Sequence, residues 1–192
     1  MSLTPLVLAA GRGTRFGDGS KLLADLGGTA VLARVFDCLV EVGLGGGFVA
    51  LPDDERRFAL LTCVPSGFEP VFLPQDVIGM GRSLAAMADR VAPGNAALMV
   101  MGDQPLLAVE DMRRLVACAG NDRIARLTHQ GKAGHPVLFP AHFIPDLVAL
   151  SGDEGPRDLL KQHGYEPIEV GDPLVLCDVD TPEALQRLRA HV

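Results

Sequence analysis

The stretch that most constrains this chain is Leu6-Val7-Leu8-Ala9-Ala10, followed by Gly11-Arg12-Gly13-Thr14-Arg15-Phe16-Gly17-Asp18-Gly19-Ser20-Lys21. An apolar run ended by glycine predicts a strand buried on both faces, as in a parallel sheet. Glycines at 11, 13, 17 and 19 let backbone N–H groups converge on an anion. Arg12 and Arg15 suit bidentate phosphate contacts, and Lys21 supplies a mobile point charge. A loop of this chemistry at a strand's carboxyl end lies where open α/β sheets bind ligands. Two common phosphate loops are excluded. Lys21 is followed by Leu22 rather than Ser or Thr, and Phe16 stands where G-x-G-x-x-G needs its third glycine.

The length of 192 residues fits one domain spanning 1–192, with 48% hydrophobic residues to fill its core. Without Trp and with a single Tyr, that core must be largely aliphatic. The formal charge of −7 argues against general nucleic-acid binding and makes the Arg12/Arg15/Lys21 cluster more telling. No apolar stretch reaches the roughly 18 residues of a membrane helix, and no basic leader precedes the first strand, so neither membrane span nor signal peptide is expected. Cys38, Cys63, Cys118 and Cys177 form no C-x-x-C, which reads as free thiols in a reducing cytoplasm.

Apolar spacing predicts a helix over 29–43, a strand over 48–51, a helix over 53–64 and a strand over 70–73, a β-α-β-α-β pattern. Leu84, Met87, Ala88 and Val91 predict a helix starting near Ser83, entered through Gly79-Met80-Gly81. That entry either offers N–H groups to a polar ligand or simply caps the helix. Residues 95–101 predict a strand that delivers Gly102-Asp103-Gln104-Pro105. Asp103 there suits a Mg²⁺ ligand or plain turn chemistry. A helix over 109–119 and an exposed edge strand over 123–128 follow. Leu174-Val175-Leu176-Cys177 reads as strand-like, which would put Asp178 and Asp180 on one face, either of them a second metal carboxylate. Thr181 and Pro182 open a final helix, with Leu185, Leu188 and Val192 facing the core.

The segments Leu8-Ala9-Ala10-Gly11, Arg15-Phe16-Gly17 and Lys21-Leu22-Leu23 resemble the signature of the MobA-like nucleotidyltransferases, the group of molybdenum cofactor guanylyl- and cytidylyltransferases. Gly134-His135-Pro136 and the Gly-Asp-x-Gly-x-Arg-x-Leu-Leu pattern of 152–160 extend the resemblance over nearly the whole chain, with Ala184 departing where the family usually has Asp.

The resemblance implies an α/β fold of three layers (α/β/α) with a mostly parallel sheet, the nucleotide-diphospho-sugar transferase architecture. It implies transfer of a nucleotidyl group from an NTP to a phosphorylated acceptor, molybdopterin in the nearest relatives, with release of pyrophosphate. Arg15, Lys21 and Asp103 inherit the catalytic role, and Leu8, Ala9, Ala10, Gly11, Arg12, Gly13, Gly79 and Ser83 the nucleotide. Gly134, His135, Asp153 and Arg157 inherit the acceptor, although His135 also reads as a loop cap and Asp153–Arg157 as a pair holding their turn. Mg²⁺ would be held by Asp103 with Asp180 or Asp178. Gly-Asp-Gln-Pro at 102–105 goes, at group level, with CTP rather than GTP. A molybdoenzyme or maturation protein is the implied partner. Transfer to a sugar phosphate or to methylerythritol phosphate, and a nucleotide-binding regulatory domain without turnover, are the alternatives.

Overall fold

Strand β1 (Leu3–Leu8) is an interior strand of the main sheet in the computed structural model, which describes residues 2–17, 19–74, 76 and 79–192. A short hairpin, β2 (Asp25–Leu26) and β3 (Thr29–Ala30), leads into helix α1 (Val31–Glu41). Strand β4 (Gly47–Pro52), helix α2 (Arg56–Leu61) and strand β5 (Phe68–Leu73) follow. Next come α3 (Met80–Ala88), β6 (Ala96–Met101) and α4 (Val109–Val116). The remaining elements are β7 (Ala125–His129), β8 (Lys132–Phe139), α5 (Ile144–Val148), α6 (Arg157–His163), β9 (Glu166–Glu169) and α7 (Pro182–Arg189).

The main sheet runs β5-β4-β1-β6-β8-β7-β9, and only β8 is antiparallel to its neighbours. Parallel strands with helical crossovers need apolar residues on both faces, which is why β1 and β6 are nearly continuous apolar runs. Val7, Val49, Leu51, Leu98 and Val100 pack against α1 and α4, whereas Leu6, Ala50, Ala97 and Met99 pack on the α3 and α5 side. Each fully buried Leu, Val or Phe contributes about 1.5–3 kcal/mol, and Phe36 and Phe68 add an edge-to-face contact at 4.8 Å. The expected three-layer α/β/α fold is the observed one. The chain runs from β1 outward through β4 to β5 and then returns to β6 on the other side of β1. The carboxyl ends of β1 and β6 are therefore the switch point, where a crevice opens.

Several expectations are corrected. Residues 125–129 form an interior strand rather than an exposed edge, because β9 covers them on one side and β8 on the other. The run Pro173–Leu176 is a 3-10 turn opened by the Asp172 side chain, which accepts from the Leu174 N–H at 2.9 Å. Helix α3 starts at Met80, so Ser83 lies inside it. Val192 is 49% exposed and lies outside the core that Leu185 and Leu188 share with Leu26 and Val31. In the 75–82 loop, residues 75, 77 and 78 lie outside the described residues.

Two contacts give measurable predictions. The Thr181 hydroxyl accepts from the Ala184 N–H at 3.2 Å, so Thr181→Ala is expected to lower the urea-unfolding free energy by about 1 kcal/mol. A Cβ at Gly81 would stand 2.5 Å from the Glu154 carbonyl oxygen, a backbone atom that cannot swing aside. Gly81→Ala is therefore expected to cost about 1–3 kcal/mol in the same measurement.

Candidate active site

The Ala9 N–H donates to Ala50 O at 3.1 Å and the Gly102 N–H to Leu8 O at 3.0 Å, holding the first loop against both flanking strands as it leaves β1. Gly13 takes a left-handed φ of 61°, and the Phe16 N–H closes back on its carbonyl at 2.9 Å to form the 3-10 turn Thr14–Phe16. A β-carbon is disfavoured at that φ. Beyond the loop, the Leu32 N–H donates to Leu22 O at 2.9 Å, and Leu22 is buried, so the residue before it is pinned to the start of α1. That residue is Lys21.

The carboxylates arrive from the other side. At Gly102 a Cβ would lie 2.9 Å from Leu8 O and 3.1 Å from Leu32 Cδ1, so glycine lets the strand end lie close to the loop. The Val179 N–H donates to Asp103 O at 2.9 Å and ties the segment before α7 to the end of β6. The Lys21 Nζ donates to Asp103 Oδ2 at 2.5 Å and to Asp180 Oδ1 at 2.8 Å. Arg15 reaches the outer oxygen of Asp180 at 3.1 Å from a side chain that is 76% exposed.

Burial alone would lower the Lys21 pKa, but Asp103 and Asp180 together hold it above its ordinary value. The hydrogen bond from Lys21 holds Asp180 below the usual carboxylate range. The stability that Lys21 draws from this pairing is complete below its unfolded pKa and is lost as pH rises through its folded one. Asp180's share is present above its unfolded pKa and is lost on acidification.

Asp178 behaves differently. Its Oδ1 accepts from Gln104 Nε2 at 2.8 Å, and burial pushes its pKa up, opposed by that hydrogen bond. The two candidate carboxylates are thus distinguished by geometry, with Asp180 turned to Lys21 and Asp178 to Gln104. A divalent cation fits the pair Asp103 and Asp180. Asp103 Oδ1 is buried without a hydrogen-bond partner, and the pair already holds a cationic group between them. Among the described residues no group of three or more His, Cys, Asp or Glu forms a metal cage. Two carboxylates are enough for a divalent ion whose other positions are left to water and phosphate oxygens.

A cavity of about 450 Å³ opens beside these groups, lined by Leu8, Ala9, Ala10, Gly11, Arg12, Lys21, Gly79, Ser83 and Asp103. Of the residues assigned to the nucleotide, only Gly13 is not on this wall; a Cβ added there would stand 3.7 Å from Lys21 Cγ. Leu22, Met80 and Met101 also line the cavity and were not foreseen, because an apolar wall residue has the same signature as a core residue. Gln104 was missed as well, although it directly follows Asp103.

The acceptor residues divide. Asp153 lines this same cavity, its Oδ1 2.5 Å from where a Cβ on Gly79 would stand. Arg157 lines a separate recess with Arg126, Leu160, Lys161 and Tyr165. Among the described residues no ion pair joins Asp153 to Arg157. The Gly134 carbonyl accepts two hydrogen bonds from Arg126, at 3.0 and 2.6 Å. His135 is pushed down to about 4, first by burial and then by the nearby Arg126 charge, so it is neutral at pH 7. Its folded pKa lies below its unfolded one, so the unfolded chain binds the extra proton and stability falls as pH drops from about 6.5 toward 4. His135→Gln is expected to flatten that part of a urea-unfolding pH profile.

Comparisons with known proteins identify the family and the fold. Residues 5–168 match the MobA-like NTP transferase domain. The chain is 28% identical to the nicotine blue oxidoreductase of Paenarthrobacter nicotinovorans, over 97% of this chain and 96% of that protein. It is 30% identical to the purine catabolism protein PucB of Bacillus subtilis, with the same coverage of 97% and 96%. Among solved structures, Rv0371c of Mycobacterium tuberculosis superposes with a TM-score of 0.87 at 28% identity, covering 99% of this chain and 98% of that one. The manganese complex of Rv0371c superposes with a TM-score of 0.82 at 26% identity, each chain covered in full. With a matched segment that holds the glycine-rich loop, Lys21 and Asp103, the chain belongs to the MobA-like NTP transferase family.

Proposed function

We propose that this protein transfers a cytidylyl group from CTP to the phosphate of molybdopterin, or of a closely similar cofactor precursor, and releases pyrophosphate. The observation that carries the reading is Lys21, held between Asp103 and Asp180 at the wall of a cavity lined by the backbone of 8–12. In-line attack on an α-phosphate asks for positioning and charge neutralisation more than for a general base. Lys21 and Arg15 neutralise the triphosphate, and the loop's N–H groups orient it. The backbone of Leu8, Ala9 and Ala10, with Gly79 and Ser83 opposite, forms the wall for the base and ribose.

Asp103 and Asp180 would hold a divalent ion, Mg²⁺ in the cell, which would supply positive charge to the reacting phosphates. A relative of known structure takes manganese, and two full-length relatives are named for an oxidoreductase and for purine catabolism. Those names are compatible with an acceptor that serves redox enzymes, and a molybdoenzyme or its maturation protein is the partner we assign. The choice of CTP over GTP rests on Gly102-Asp103-Gln104-Pro105. We further assign the chain to the cytoplasm as one domain; no described helix is long and apolar enough to cross a membrane.

The test is pyrophosphate release with Mg²⁺ and molybdopterin, with CTP and GTP assayed separately. CTP-dependent release is the expected result. GTP dependence would keep the mechanism and reverse the base, and binding of either nucleotide without release would point to a regulatory domain. Lys21→Ala and Asp103→Ala are expected to lower kcat by at least about 100-fold, the scale on which losing a charge-stabilising group acts, with the circular dichroism spectrum unchanged. Turnover at the wild-type rate in either variant would remove that residue from the reaction. Asp180→Asn is expected to weaken Mn²⁺ binding, read by electron paramagnetic resonance, more than Asp178→Asn does.

A further inference from the structure

Arg126 is a cation in an uncommon position. It projects from β7, an interior strand, and is only 9% exposed. A buried guanidinium is ordinarily met by a carboxylate, because removing the charge from water is costly. Here its Nε and one Nη both donate to the neutral carbonyl of Gly134, at 3.0 and 2.6 Å, and its Cζ lies over the Tyr165 ring, 5.0 Å from the centroid. Among the described residues no carboxylate stands within ion-pair distance. Burial lowers the Arg126 pKa from its ordinary value, as expected for a charge without an anionic partner.

Two more cations converge on the same place. Arg157 and Lys161 lie one turn apart on α6 and, with Leu160 and Tyr165, line a recess of about 250 Å³ around Arg126. Arg157 has no ion pair among the described residues. Lys161 has only a 3.6 Å contact to Asp158, with both side chains about four-fifths or more exposed. A water-exposed pair of that kind is worth little and yields readily to a stronger anion.

We infer that Arg126, Arg157 and Lys161 form an oxyanion-binding site, built for a phosphate group and separate from the glycine-rich loop. Guanidinium groups match phosphate oxygens two at a time, and Tyr165 gives the recess a rigid wall. The short segment from Asp153 to Arg157 spans from the first cavity to this recess. Four residues reach at most about 14 Å, so one substrate can touch both. Its use as an anchor for an anionic group of the acceptor rests on the nucleotidyl-transfer reading; the anion site itself does not.

The test uses inorganic phosphate on the full chain carrying Lys21→Ala, which removes the principal cation of the first cavity. Arg126 depresses the His135 pKa, so phosphate bound beside Arg126 should raise it from about 4, read from the imidazole resonances by NMR. The Arg157→Met/Lys161→Met variant changes exposed positions and should fold normally. It is expected to weaken phosphate binding about tenfold per lost cation and to abolish the His135 shift. Absence of a phosphate-dependent His135 shift, or the same shift in the double variant, would overturn the site. In the wild-type enzyme, phosphate that competes with the acceptor but not with the nucleotide identifies the anchor. Inhibition competitive with neither identifies a free-anion effector using the same cations. Failure of the transfer assay alone leaves the His135 result standing.

Discussion

One ammonium group holds the candidate site together. Asp103 and Asp180 come from the end of the central sheet and from the turn before the last helix, and their mutual repulsion would drive them apart. Lys21 sits between them, with 13% of its side chain exposed, and converts that repulsion into a three-part ion cluster. Partial burial makes the cluster matter more than a surface pair, because water no longer screens it fully and loss of one partner strands a charge. Arg15 adds only a rim contact. The arrangement keeps two carboxylates close enough for a divalent cation while leaving the free protein electrically settled.

How much of this was legible follows from distance along the chain. The loop, its cations and Gly102-Asp103 were readable because each signal is local: an apolar strand, then glycine, then charge. The layered α/β architecture was readable from alternating strand and helix patterns for the same reason. The Lys21–Asp180 contact was not, since 159 positions separate the two residues and spacing carries no information at that range. Nor does spacing show that Gln104 takes Asp178 while Lys21 takes Asp180.

The misreadings also have physical causes. Glu166-Pro167-Ile168-Glu169 forms the sheet's last strand, yet a proline among charged residues argues against a strand anywhere but an edge, and this is an edge. Missing it left β7 looking exposed and hid the unusual burial of Arg126. Leu174-Val175-Leu176 has strand-like residues, but Asp172 and Pro173 impose a tight turn before any ladder forms. At the α3 entry no misreading is involved: the sequence lets the glycines at 79 and 81 either offer N–H groups to a ligand or simply open the helix. They also make room for the backbone and side chains of 151–154, which press against them, so packing and binding use the same residues there.

The hydrogen bond from the Val179 N–H to the Asp103 carbonyl has a consequence for how the protein comes into being. On the ribosome, β1, its loop and β6 are made well before residues 178–180. At that stage Lys21 has one carboxylate instead of two, and the turn that backs the site is missing. The three-part ion cluster therefore closes only when the segment around Asp180 reaches the end of β6.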